Sequence, residues 1–200
     1  MKPVLFDVPE RVETERLILR APQSGDGVHL HTAIKHSFAS LSEWIFDHIP
    51  EMDEAEEIVR KSYARFLLRE RLEFYMFEKA SGLFVGSCQL LGIQWRVKRF
   101  EIGYWITDSA SKKGYMTEAV HQLTDLAFRH FGANRVELRC DSKNGASRKV
   151  AERCGYHLEA ILINDYMKPF AEIEEIVDTC LYAQVRLNDG SYGYPTHRPV

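Results

Sequence analysis

Nine residues in the middle of the chain, Ser111-Lys112-Lys113-Gly114-Tyr115-Met116-Thr117-Glu118-Ala119, place a glycine, two lysines and a hydroxyl at the start of a helical pattern. A helix N-terminus exposes unpaired backbone N–H groups and carries about half a positive charge, so it can receive a phosphate without a basic fold around it. Gly114 lets the backbone approach a ligand, Lys112 and Lys113 add point charges, and Thr117 can donate a hydroxyl hydrogen bond. A purely structural glycine at a helix start gives the same pattern, so the segment alone leaves both readings open. Glu118, one turn in, supports the helix dipole. The histidines are scattered without metal-ligand spacing, and no metal is expected. Cys88, Cys140, Cys154 and Cys180 form no close pair and read as reduced, mostly buried thiols.

The elements that must position this segment follow from periodicity. Residues 16–22 are short, apolar in the middle and closed by Pro22, which suits a strand. A helix is expected from Gly25-Asp26-Gly27 to about Phe38, a second short one over 42–45, and a long amphipathic one from Asp53. Strands over 73–79, 83–93 and 99–107 then read as an antiparallel meander. The helix beginning at Gly114 runs to about Phe131, with Gly132 placed to end it. A strand over 134–140, a helix over 144–154 closed by Gly155, and strands over 156–163 and 176–185 complete the order, which is mixed α+β. Residues 1–12 read as an N-terminal arm, 13–186 as one domain and 187–200, rich in turn formers, as a C-terminal tail.

The chain has 200 residues, 45% of them hydrophobic, and a formal charge of −3. That suits one globular domain and gives no global pull towards nucleic acid or an anionic membrane. No apolar stretch reaches the roughly 20 residues of a membrane span, and the N-terminus meets charge too early for a signal peptide, so a cytoplasmic protein is expected.

Four motifs in order make a more specific pattern than any one of them: Phe100-Glu101-Ile102-Gly103-Tyr104-Trp105-Ile106, the segment 113–119, Asn144-Gly145-Ala146-Ser147, and Gly155-Tyr156. Together they resemble the GNAT acetyltransferase superfamily, and within it the branch that acetylates ribosomal-protein N-termini, over residues 13–186. The resemblance implies a central, mostly antiparallel sheet of six to seven strands, splayed into a V and flanked by four to five helices. It implies acetyl-CoA as cosubstrate, with its pantetheine arm along Trp105 and Ile106 and its pyrophosphate held by Lys112, Lys113, Gly114, Tyr115, Met116 and Thr117. Ser111 and Met116 stand where the superfamily usually has Gln or Arg and a small residue. Backbone amides carry most of such a site, and any residue but proline supplies them.

The resemblance also places Ser147 beside the cofactor sulfur, as the acid for the departing thiolate, and Asn144 where its amide can bind pantetheine. Asn144 is equally a good helix N-cap and Ser147 an ordinary first-turn residue. The tyrosine that many members carry one turn later is Ala151 here, which turns attention to Ser147. Glu101, on the strand leading to the splay, and Glu73, on the facing strand, are the candidate bases. Trp44, Tyr63 and Phe66 are candidates for an acceptor wall, each with core packing as the alternative.

The acceptor is expected to be a primary amine, a protein N-terminus or a small molecule such as a polyamine or aminoglycoside. An α-amine with pKa near 8 costs under about 1 kcal/mol to neutralise at pH 7.5, a lysine roughly 4 kcal/mol, so a water-relayed carboxylate suffices for an N-terminus. A non-catalytic acyl-CoA-binding module is the reading from another class, and no GK[ST] loop supports an NTPase. Self-association is frequent in the resembled branch and allows a homodimer.

Overall fold

Apolar runs of strand length, punctuated by turn residues, build one sheet. The structure, a computed structural model, describes residues 2–168 and 175–195. Among these the strands are β1 (Arg11–Glu13), β2 (Leu17–Arg20), β3 (Leu72–Glu78), β4 (Phe84–Gln94), β5 (Arg99–Ile106), β6 (Arg135–Asp141), β7 (His157–Met167), β8 (Ile176–Arg186) and β9 (Tyr192–Gly193). The helices are α1 (Gly27–Leu41), α2 (Met52–Leu68), α3 (Tyr115–Asp125) and α4 (Gly145–Arg153). The strand order is β1-β2-β3-β4-β5-β6-β8-β7, with β9 on β8, and only β5 and β6 pair in parallel. The seven longer strands match the expected six to seven; β1 and β9 are additions too short to show a period.

Alternation along the strands sorts side chains into two cores. Leu17, Leu19, Phe74, Met76, Cys88, Phe100 and Ile102 face α3, whose Ala119, Val120 and Leu123 are fully buried against them. Ile18, Tyr75, Phe77 and Trp105 face the other way, towards Leu30, Ile34 and Leu41 of α1 and Ala55 and Val59 of α2.

Two expectations need correction. Residues 42–45 form turns, the N–H groups of Trp44, Ile45 and Phe46 converging on Leu41 O at the end of α1 instead of starting a new helix. The helix expected from Gly114 to Phe131 changes at Leu126–His130 into a π-helical segment, where Phe131 N–H bonds Leu126 O at 3.2 Å. Both terminal segments also touch the body. Phe6 of the expected arm stacks on Trp95 at 4.8 Å and Val8 is buried, while Tyr192 of the expected tail stacks on Phe128 at 4.4 Å. Residues 196–200 of that tail lie outside the described residues. No helix among the described residues is long and apolar enough to cross a membrane.

Candidate functional site

The parallel pairing of β5 with β6 runs from Arg99↔Arg135 to Ile102↔Leu138 and stops, although β5 continues to Ile106 and β6 to Asp141. The two strands therefore part and leave a V. Thr107 N–H bonds Val85 O at 2.9 Å, on the β4 side. Successive residues turn their polar backbone groups to opposite edges, so those of Tyr104 and Ile106 turn to the open edge. The Trp105 side chain, by contrast, is buried against Phe46 and Phe84, and its backbone groups turn to β4, so Trp105 presents neither to the open edge.

Beyond β5 the chain turns into the 111–119 segment. Lys112 and Gly114 adopt left-handed φ angles of 62° and 83°. The first helical bond is Glu118 N–H to Gly114 O at 3.1 Å, so the N–H groups of 112–117 lie ahead of it, at an open helix start. Lys112, Lys113 and Gly114 are exposed, and Thr117 is half-buried. The side chains of Tyr115 and Met116 are buried in the core, and the Tyr115 hydroxyl donates to Glu78.

Sequence reasoning assigned no role to Arg16, which braces this loop. Its guanidinium donates to Lys113 O at 2.9 Å and to Glu118 Oε2 at 2.7 Å, and lies 4.7 Å over the Tyr115 ring. Burial alone would raise the Glu118 pKa, but hydrogen bonds from Thr14 and Arg16 outweigh it and lower it.

Ser147 lies on the first turn of α4. Its N–H is capped by Asn144 Oδ1 at 2.9 Å, so Asn144 does act as the N-cap. The Ser147 hydroxyl is 2.8 Å from the Tyr104 hydroxyl, which links β5 to α4 across the V. Burial raises the Tyr104 pKa, and the bond to Ser147 opposes that only in part. The Cys140 thiol adjoins the same hydroxyl; burial pushes it up to about 11, with the Ser147 bond acting the other way. A tyrosine or cysteine inside an apolar strand looks like core, so no sequence signal marked either.

Glu101 and Glu73 share the face opposite Tyr104, but not the same place. Glu101 immediately precedes the last paired residue, Ile102, at the vertex of the V. Burial raises its pKa, with Arg139 the strongest opposing influence. Glu73 lies on β3, separated from β5 by β4, and accepts the Ser87 hydroxyl at 2.7 Å. The structure does not bring Glu73 to the V.

On the acceptor side, Lys168 at the end of β7 reaches the turn after α1, with its ammonium 4.9 Å over Trp44 and 3.9 Å from Glu43. Phe66 is fully buried against Phe74, so it presents no ring surface to a cleft, whereas Tyr63 is half-buried with part of its side chain packed on the same core. Among the described residues no group of three or more His, Cys, Asp or Glu could hold a metal.

A family model described as acetyltransferase (GNAT) domain matches residues 16–157. "Probable N-acetyltransferase YjcK" of Bacillus subtilis (strain 168) is 31% identical over 93 residues, 46% of this chain and 51% of that protein. The match thus spans about half the length of that relative. Two solved structures superpose with a TM-score of 0.80. One is the microcin C7 self-immunity acetyltransferase MccE with acetyl-CoA and AMP, 19% identical, covering 89% of this chain and 97% of that one. The other is RimL, a ribosomal L7/L12 alpha-N-protein acetyltransferase, with coenzyme A, 21% identical, covering 88% and 98%. At these identities the likeness is one of fold.

Proposed function

Because the chain belongs to the GNAT acetyltransferase family, we propose that it moves the acetyl group of acetyl-CoA to a primary amine, with a protein N-terminal α-amine as acceptor. The observation that carries this reading is the V between β5 and β6, with the Ser147 hydroxyl held at 2.8 Å from Tyr104 on one wall and Glu101 at the vertex.

In this reading the backbone groups of Tyr104 and Ile106 pair with the pantetheine amides, and the N–H groups of 112–117 hold the pyrophosphate with Lys112 and Lys113. The amine nitrogen attacks the thioester carbonyl carbon, a C–N bond forms and the C–S bond breaks. Glu101 takes the proton the amine loses, directly or through water. Ser147 gives its proton to the departing thiolate, and solvent returns one to it. Asn144 sets the helix start that aims Ser147. Burial of Glu101 brings its basicity closer to that of an α-amine, which favours this acceptor over the more basic lysine side chain. The catalytic unit is placed in residues 13–186 and the protein in the cytoplasm, where its four cysteines, free thiols in the fold, would stay reduced.

The test is acetyl-CoA turnover, read as free thiol, with serine- and alanine-led peptides against polyamines and aminoglycosides. Faster turnover of the N-terminal peptides supports the reading. A preference for polyamine or aminoglycoside would replace the acceptor, and CoA binding without any turnover would make the chain a binding module.

A further inference from the structure

Asp141 ends β6 beyond its last contact with β5, and so stands on the free arm of the V. Ser142 N–H bonds Asp178 O at 2.8 Å, which makes Ser142 and Asp178 a hydrogen-bonded pair. The preceding pair, Asp141 with Thr179, is then a non-hydrogen-bonded one, with Cα atoms about 4.5 Å apart and side chains at their closest. Alternation along β6 puts Asp141 on the face of Glu137, the residue that pairs with Glu101, and thus on the Glu101 side of the sheet.

Both side chains are nearly closed off, Asp141 being 4% exposed and Thr179 3%. Asp141 Oδ1 accepts Lys143 N–H at 2.7 Å. Its Oδ2 has no partner among the described residues, and neither has Thr179 Oγ1. The nearby lysines are engaged elsewhere, Lys143 with Glu175 at 2.7 Å and Lys168 over Trp44 and 3.8 Å from Glu175. Folded proteins rarely leave two adjacent buried polar atoms unpaired, because each then loses its hydration for nothing. A partner for both atoms brings two donor hydrogens and tolerates a carboxylate, as a water or an ammonium group does. A primary amino group, with three donors when protonated, does both.

We infer that Asp141 and Thr179 form the seat of the acceptor's amino group, Asp141 Oδ2 and Thr179 Oγ1 each taking one N–H. The inference presupposes amine acetylation and adds where the amine is held before it reacts. Tyr166 on β7 is near enough to feel the Asp141 charge: burial first, and Asp141 next, push its phenol up to about 12. It stays protonated and brings no competing charge.

The experiment uses CoA-bound protein and a serine-led hexapeptide with either a free or an acetylated N-terminus, compared by calorimetry. A charge-assisted bond predicts that wild type prefers the free peptide by about tenfold or more. Asp141→Asn, which keeps the shape, removes most of that preference; Thr179→Val reduces it, and Thr179→Ser retains it, with CoA affinity unchanged throughout. If Asp141→Asn does not fold, the Thr179 pair carries the comparison. Equal binding of both peptides by wild type, or an unchanged preference in the variants, overturns the seat and leaves the two atoms to a trapped water. Steady-state kinetics separate this from acetyl transfer itself. Wild-type protein that keeps the preference but acetylates no amine refutes the transfer reading alone, whereas turnover with an unaltered KM for the peptide in Asp141→Asn refutes the seat alone.

Discussion

A serine hydroxyl gives up a proton usefully only when its own oxygen is held and its hydrogen is free to point at the acceptor. Burial keeps the Tyr104 phenol protonated; its hydroxyl donates to Ser147 O at 3.2 Å and lies 2.8 Å from Ser147 Oγ, a pair in which either oxygen can be the donor. With the phenol hydrogen turned to Ser147 Oγ, the serine hydrogen is left for the thiolate, and in the proposed transfer Tyr104 is a positioning residue. Tyr104→Phe is expected to lower kcat about tenfold, the value of roughly one hydrogen bond, while the KM for acetyl-CoA stays close to wild type. Ser147→Ala should lower kcat by more, because it removes the proton donor itself rather than its support. Glu101 gives a second check through pH. Its folded pKa is raised, and a base works only when deprotonated, so activity should fall as pH drops through a value above the ordinary carboxylate range. Glu101→Gln should remove that limb; a limb that persists would reassign the base. Ser147, Asn144 and Glu101 can be named as candidates from the sequence alone, by their order among motifs. Tyr104 cannot, since nothing in an apolar strand tells which tyrosine hydroxyl will meet a helix more than forty residues away.

At the scale of elements, the open start of α3 depends on a strand far from it in sequence. Arg16 precedes β2, and its guanidinium joins the Lys113 carbonyl to the Glu118 carboxylate. The loop is thus held in shape from outside, which suits the loss of a leading Gln or Arg at Ser111. Gly114 is where this arrangement is least tolerant. At φ 83° an added Cβ would lie 3.3 Å from Arg16 Nη2. Gly114→Ala should cost about 1 to 2 kcal/mol in left-handed backbone strain alone, and weaken CoA binding about tenfold by calorimetry. Arg16→Met should weaken CoA binding several-fold without moving the acceptor KM. Pattern located the strands and helices because the helices bury one face each and the central strands are apolar runs, buried on both faces, between turn residues. The brace was invisible because its two ends are about a hundred residues apart and involve a charged side chain at a strand margin.

At the scale of the whole molecule, the V divides the sheet. Four parallel pairs, Arg99↔Arg135 to Ile102↔Leu138, are the whole ladder between β5 and β6, with the Arg99–Glu137 ion pair beside it. Both strands read as uninterrupted runs, so the point of parting could not be seen in either; it emerges from their registers with β4 and β8, which hold each strand straight on its far side. Beyond Ile102 the open edge of β5 lacks a neighbour, and a ligand that pairs with Tyr104 and Ile106 while resting on the start of α3 would act as the missing strand. CoA binding should therefore tie the two halves together and raise the melting temperature. At a hundredfold excess over Kd, the gain is about 2.7 kcal/mol, or about 5 to 10 °C for a chain of this size. Lys112→Ala with Lys113→Ala should shrink that shift and its dependence on salt, because both lysines are exposed point charges whose attraction is screened. Differential scanning calorimetry checks both statements. With the CoA concentration held fixed for all proteins, a shift below about 1 °C would mean that the folded V does not bind the cofactor at that concentration, whereas a full shift that survives loss of both lysines would put the binding energy in the backbone N–H groups of the loop.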